Sequence, residues 1–171
     1  EDARLDIPKA HQIAGRDPQW MALAAKLAED AGAAVIDINM GCPCKRVTNG
    51  LAGAALMQDL DLAQRLIEAV VNATARPVTL KMRLGWDATV RNAPQLAKRA
   101  ENVGVRMIVV HGRTRSQFYD GAADWRAVAE TVAAVRVPVI VNGDITSSDQ
   151  ARLALAQAGA AGEMVGPAAY G

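Results

Sequence analysis

Ala34-Val35-Ile36-Asp37-Ile38-Asn39 is a run of strand-forming residues that ends on a polar side chain and passes at once into Met40-Gly41-Cys42-Pro43. The same design recurs down the chain. Arg76-Pro77-Val78-Thr79-Leu80-Lys81-Met82-Arg83 precedes Gly85, Val105-Arg106-Met107-Ile108-Val109-Val110-His111 precedes Gly112, and Val137-Pro138-Val139-Ile140-Val141-Asn142 precedes Gly143. Weaker strand signals lie at Ala10–Ala14 and Glu163–Val165. The stretches between them carry apolar residues at helical spacing: Pro18–Ala31, Asp59–Thr74, Asn92–Val103, Ala123–Val135 and Ser147–Ala158. Asp17, Asp59 and Ser147 stand where helix N-caps belong, and Gly32, Gly104 and Gly159 where C-caps belong. The order is strand then helix, about six times over, which implies a parallel sheet covered by helices.

Two architectures build such a sheet. A doubly wound open sheet concentrates its ligand contacts at one switch point. A (β/α)8 barrel, the TIM-barrel fold, gathers the C-terminal ends of all its strands around one mouth. Asn39, His111 and Asn142 each close a strand and are followed by glycine directly or one residue on, and Lys81 and Arg83 lie near the end of another. Several polar strand ends fit the barrel mouth. Six units do not close eight strands, so the expected fold is an incomplete barrel in an α/β class chain. Its sheet would have two open parallel edges, and the 171-residue piece alone is expected to fold poorly.

Composition narrows the function classes. Half the residues are hydrophobic (51%) and 22% are charged, enough for one domain with a sizeable core. A net charge of +1 neither demands nor excludes a nucleic-acid partner, because binding depends on where the charge sits. No apolar run approaches the roughly 18 residues needed to span a membrane. The opening Glu1-Asp2-Ala3-Arg4 lacks the layout of a signal peptide, so a cytoplasmic protein is the default. Cys42 and Cys44 flank one residue, too close for a comfortable disulfide. With His11 and His111 they form no zinc spacing, so no metal is expected.

Each candidate residue has a plain structural reading beside its chemical one. Cys42 either fills a loop or is held over the mouth as a proton donor or nucleophile. Cys44 reads as structural. Period-two alternation puts Thr79, Lys81 and Arg83 on one strand face and Val78, Leu80, Met82 and Leu84 on the other. The apolar set belongs under the helices, so Lys81 and Arg83 point inward and need an anion or an electron-rich cofactor edge. The alternative is a solvated edge strand. His111 is either a satisfied core group or a site residue. Arg113 and Arg115 read as surface loop charges unless a polyanion docks there, and Tyr119 either stacks on a base or packs. Asn142-Gly143-Asp144 precedes a helix and suits a phosphate.

Taken together, Gln12-Ile13-Ala14-Gly15, Asp37-Ile38-Asn39-Met40-Gly41-Cys42-Pro43, Leu80-Lys81-Met82-Arg83-Leu84-Gly85-Trp86, Val110-His111-Gly112-Arg113-Thr114-Arg115 and Asn142-Gly143-Asp144-Ile145 resemble the tRNA-dihydrouridine synthases, especially the bacterial B-type branch. Order and spacing agree from about Ile7 onward. The resemblance implies that residues 1–171 are part of an FMN-binding TIM-barrel catalytic domain, normally followed by a small helical RNA-binding domain that is absent here. It implies an oxidoreductase of tRNA processing: NADPH reduces FMN, hydride passes to C6 of a flipped-out uridine, and the loop cysteine, here Cys42, gives the proton to C5. By position, Gln12, Lys81 and His111 are expected flavin contacts. Asn142, Gly143, Asp144 and Gly166 are expected around the FMN phosphate and ribityl chain. Asn39 and Tyr119 are expected to position uridine, and Arg83 to meet flavin or substrate. Lys45, Arg46, Arg113 and Arg115 are candidates for RNA phosphates.

The sequence departs from the family pattern in three ways. The opening two barrel strands are missing, the RNA-binding domain is missing, and Pro167 stands where the family has an arginine that helps hold the FMN phosphate. Glu163 also replaces an expected apolar strand residue. Two other readings therefore stand beside the enzyme: a non-catalytic RNA-binding relic, and a flavin barrel reducing a free pyrimidine. Monomer is the default oligomeric state.

Overall fold

The computed structural model describes residues 8–166. Six strands alternate with helices: β1 (Ala10–Ile13), α1 (Pro18–Asp30), β2 (Val35–Met40), the short α2 (Lys45–Thr48), a 3-10 helix (Gly53–Gln58), α3 (Leu60–Ala73), β3 (Val78–Arg83), α4 (Ala93–Val103), β4 (Met107–His111), α5 (Trp125–Ala134), β5 (Val139–Asn142), α6 (Ser148–Ala158) and β6 (Gly162–Met164). All neighbouring strands pair in parallel. Their order in the sheet is the order of the chain, β1 to β6. That settles the architecture, because a doubly wound sheet reverses its strand order at the switch point and this sheet never does. The fold is an incomplete TIM barrel.

The expected caps are in place. The side chains of Asp17, Asp59 and Ser147 accept N–H groups of the first turns of α1, α3 and α6. Gly104 and Gly159 close α4 and α6, whereas α1 ends on Ala31 and Gly32 follows it. Sequence periodicity did not resolve α2 and the 3-10 helix, both too short to show an apolar face. The fully buried 3-10 residues Ala54, Leu56 and Met57 floor the cysteine loop.

The core lies between the outer sheet face and the helices. Ile36, Ile38, Leu80, Met82, Ile108, Val110 and Val141 meet Leu66, Ile67, Val70, Leu96 and Val128 there, all buried. Two glutamates tie the helix layer to the strand entries. Glu29 of α1 accepts the Thr74 hydroxyl and the Ala75 N–H ahead of β3, and Glu101 of α4 accepts the N–H groups of Arg136 and Val137 ahead of β5. Hydrogen bonding lowers the pKa of both carboxyls. With the apolar face occupied outward, the alternate residues of each strand face the interior.

Among the described residues no helix is long and apolar enough to cross a membrane.

Candidate active site at the barrel mouth

Register sets the inner face in layers. Gln12, Asp37 and Thr79 share one level, Asn39 and Lys81 the next, and Arg83, His111 and Asn142 the one nearest the strand ends. The groups are joined. Thr79 Oγ1 donates to Asp37 Oδ1 at 2.7 Å, Gln12 Nε2 to Asp37 Oδ2 at 2.6 Å, and Asn39 Nδ2 to Gln12 Oε1 at 2.8 Å. Across the mouth, Lys81 Nζ donates to Asn142 Oδ1 at 2.9 Å, and Asn142 Nδ2 donates to the Met164 carbonyl at 2.8 Å. Asp37 was not singled out from the sequence. Its place two residues before Asn39, on the same strand face, is the signal that could have found it.

The cysteine loop is built by backbone contacts. Asn39 Oδ1 accepts the N–H of Gly41 at 3.0 Å and of Cys42 at 2.9 Å. The Cys42 carbonyl accepts the Ala54 N–H at 3.0 Å. Cys42 is half-buried and Cys44 exposed.

Arg83 does point inward, as alternation requires, but it does not need an anion. The side chain is 1% exposed. Its Nε donates to the Gly41 carbonyl at 2.8 Å, and Nη1 to the carbonyls of Thr114 at 2.9 Å and Phe118 at 2.7 Å. Carbonyl dipoles meet the charge, and the guanidinium carbon lies 5.6 Å from the Tyr119 ring centroid. Arg83 thus staples the cysteine loop to the loop after β4.

Arg113 corrects the sequence reading more sharply. Expected as a surface charge facing RNA phosphates, it is 5% exposed. Its five N–H groups have five partners: Asp144 Oδ1 and Oδ2 at 2.8 and 2.7 Å, the carbonyls of Asp120 and Gly121, and His111 Nε2 at 3.2 Å. No donor is left for a phosphate. Arg115 is likewise drawn in, stacking 4.6 Å from the Trp86 ring centroid with Nη2 reaching Thr48. Lys45 and Arg46 are exposed, as expected of them. Asp144, placed by the sequence beside a phosphate, spends its carboxylate on Arg113 and the Ala123 N–H. Burial pushes that carboxyl up, and these bonds outweigh it and hold the group below its usual range.

Electrostatics follow from this crowding. Burial first, then the Arg83 charge, lowers Lys81 to about 8, against the pull of Asp37. Burial, with Arg83, Lys81 and Arg113 around it, lowers His111 to about 3, so the ring is neutral at physiological pH.

Two hollows meet over these groups. One, of about 230 Å³, is lined by Gln12, Asn39, Cys42 and Arg83. The other, of about 290 Å³, is lined by Asn142, Gly143, Asp144, Thr146 and Gly166. Lys81, His111 and Tyr119 line both, and Tyr119 is 64% exposed at the rim. The structure thus brings Gln12, Asn39, Cys42, Lys81, Arg83, His111, Tyr119, Asn142, Gly143, Asp144 and Gly166 to one mouth. A larger hollow of about 450 Å³ lies outside it, between β6 and α6. Its charged lining residues, Arg152 and the unexpected Glu163, are exposed, and Arg152 pairs with Asp149 on its own helix. Pro167 lies outside the described residues.

Gly143, in the wall of the second hollow, must be glycine. Its φ is +113°, and a Cβ there would come within 2.8–2.9 Å of the His111 ring and Ala123 Cβ. Gly143→Ala is expected to cost about 1–3 kcal/mol through strain and clash. A urea midpoint equal to that of the parent protein would refute this.

Comparison with known proteins shows the family. The family model described as dihydrouridine synthase matches residues 2–171. The chain belongs to the dihydrouridine synthase family. A Rhodobacter capsulatus protein named "Probable tRNA-dihydrouridine synthase" is 63% identical over 96% of this chain and 51% of its own length. A Rickettsia bellii protein of the same name is 54% identical over 94% of this chain and 49% of its own. "tRNA-dihydrouridine synthase B" of Xanthomonas axonopodis pv. citri is 49% identical over 96% of this chain and 49% of its own. The chain spans about half the length of the curated relatives it matches. Among solved structures, N-succinyl Arg/Lys racemase from Bacillus cereus superposes with a TM-score of 0.64 at 17% identity, over 92% of this chain and 36% of the other. At that identity the likeness speaks for the fold alone. Membership in the dihydrouridine synthase family and the B-type likeness both agree with the motifs read from the sequence.

Proposed function

We propose that this chain is the core of a tRNA-dihydrouridine synthase, reducing the C5=C6 bond of a tRNA uridine with FMN as cofactor, NADPH as reductant and Cys42 as proton donor. The observation that carries the reading is convergence. A fixed loop thiol, a cation and a neutral imidazole border one two-part cavity, in a member of a family whose relatives bear that name.

The residues fit an FMN. Gly143 presents bare backbone to the cavity where a side chain would strike His111, Gly166 lines the same wall, and Lys81 sits between the two hollows. Gln12, Lys81, His111, Asn142 and Gly143 would hold the cofactor, which supplies the hydride when bound. Lys81 would favour negative charge on its neighbour. Asn39 and Tyr119 would orient the uracil ring, which must leave the RNA stack to enter. Asn39 keeps one amide hydrogen after donating to Gln12. Cys42 would deliver the proton to C5, since His111 is neutral and holds no acidic imidazolium at working pH.

A pH profile tests the role of Lys81. Its pKa is depressed to about 8, so the ammonium is full below that value and lost above it. Turnover that needs the cation is expected to fall as pH rises through about 8, and in Lys81→Met the rate below that pH is expected to drop toward the parent's rate above it. A flat kcat/KM from pH 7 to 10 in the parent enzyme would remove Lys81 from this role.

The activity itself is tested with the complete reading frame, expressed in a host lacking its own synthases, by nucleoside mass spectrometry of bulk tRNA. Dihydrouridine that appears only with the gene supports the reading. Soluble protein without dihydrouridine calls for Pro167→Arg: rescue locates the fault at the phosphate end, and continued silence favours the non-catalytic relic. Reduction of free uracil without RNA would point to a free-pyrimidine enzyme instead.

A further inference from the structure

We infer that Arg113 is a positioning residue that fixes His111 in the neutral Nδ1–H tautomer, so that the ring offers the cavity an N–H donor. A guanidinium donates and never accepts. Arg113 Nη1 lies 3.2 Å from His111 Nε2, so Nε2 must keep its lone pair for that contact. A neutral imidazole then carries its single proton on Nδ1.

Neither partner can turn away. Arg113 is gripped by both oxygens of Asp144 at 2.8 and 2.7 Å and by the carbonyls of Asp120 and Gly121. The Cδ2–Nε2 edge of His111 lies against Gly143, close enough that even a Cβ there would collide. The charged groups facing the ring are Arg83, Lys81, Arg113 and Asp144. Three of the four are cations, and together with burial they keep the ring from becoming an imidazolium. Among the described residues Nδ1 has no partner, and the ring borders both hollows. Asp144 therefore acts on the cavity at second hand: it holds Arg113, and Arg113 sets the ring.

The tautomer belongs to these side chains whether or not the proposed reaction occurs, so the two readings fail separately. The test is a long-range 1H–15N correlation spectrum of 15N-histidine-labelled full-length protein, with the His111 signals assigned by their loss in His111→Gln. The expected pattern is protonated Nδ1 and bare Nε2, unchanged from pH 5 to 8. A protonated Nε2, or an imidazolium at pH 7, would overturn the inference. In Arg113→Met the restraint is gone, and the ring, still buried beside Arg83 and Lys81, is expected to stay neutral and populate Nε2–H. Persistence of the parent pattern in folded Arg113→Met would show that Arg113 does not set it. Should that variant fail to fold, Arg113→Lys keeps one donor for Nε2 and is expected to retain Nδ1–H; a switch to Nε2–H there would equally sink the assignment.

Discussion

Cys42→Ala is expected to lower the rate of dihydrouridine formation in tRNA by a factor of about 10²–10⁴, the range for removing a general acid, while the protein stays folded and retains its flavin. The reason lies in how the loop is held. Every contact that fixes Cys42 runs through backbone: Asn39 Oδ1 on two N–H groups, the Ala54 N–H on the Cys42 carbonyl, and Arg83 on the neighbouring Gly41 carbonyl. Removing the thiol leaves all of these in place. No other described group is held on the cysteine loop to deliver the proton from its side. The His111 ring is neutral, and Lys81 stands on β3, reaching across the mouth to Asn142 and away from the cysteine loop. Single-turnover assays on unmodified tRNA, read by nucleoside mass spectrometry beside the flavin absorbance, check both halves. A rate within threefold of the parent would remove Cys42 from the proposed chemistry.

Arg83→Met is expected to destabilise the protein by about 2–4 kcal/mol, from leaving the carbonyls of Gly41, Thr114 and Phe118 without their donor inside the mouth. Methionine fills much of the volume, so the loss reports hydrogen bonds rather than a cavity. Lysine is not a rescue, because one ammonium cannot reproduce a planar fork that reaches two separate loops. The measurement is the urea midpoint, paired with the rate of thiol alkylation at Cys42. The alkylation rate is expected to rise in Arg83→Met as the loop loosens, which a general loss of stability away from the site would not produce under native conditions. Parent-like values of both would show that the arginine is dispensable to the loop.

Much of this site was legible in the chain. Lys81 and Arg83 were assigned inward by period-two alternation, because the apolar partners Leu80 and Met82 could only lie under helices, and both are indeed fully buried there. Asn39, His111 and Asn142 were found because a polar residue ending an apolar strand is conspicuous. What alternation cannot give is the partner. Arg83 read as a cation in need of an anion, and it lies among carbonyls. Arg113 read as a loop charge, since nothing in His111-Gly112-Arg113-Thr114-Arg115 reveals which arginine turns inward. The polar strand ends favoured the barrel over the doubly wound sheet, and the pairing of β1 to β6 in chain order bears that choice out.

The sequence by itself determined the alternation of strands and helices, the face each strand turns inward and the residues that reach the mouth, because those depend on local periodicity and on the burial of apolar side chains. Only the tertiary structure decided how those residues are used. The contacts that do so join positions far apart in the chain: Arg83 to Thr114 and Phe118 across 31 and 35 residues, Arg113 to Asp144 across 31, Lys81 to Asn142 across 61. A hydrogen bond of that span exists only once the sheet has brought the strand ends together, and its geometry is set by the curvature of the sheet rather than by any residue's neighbours in sequence.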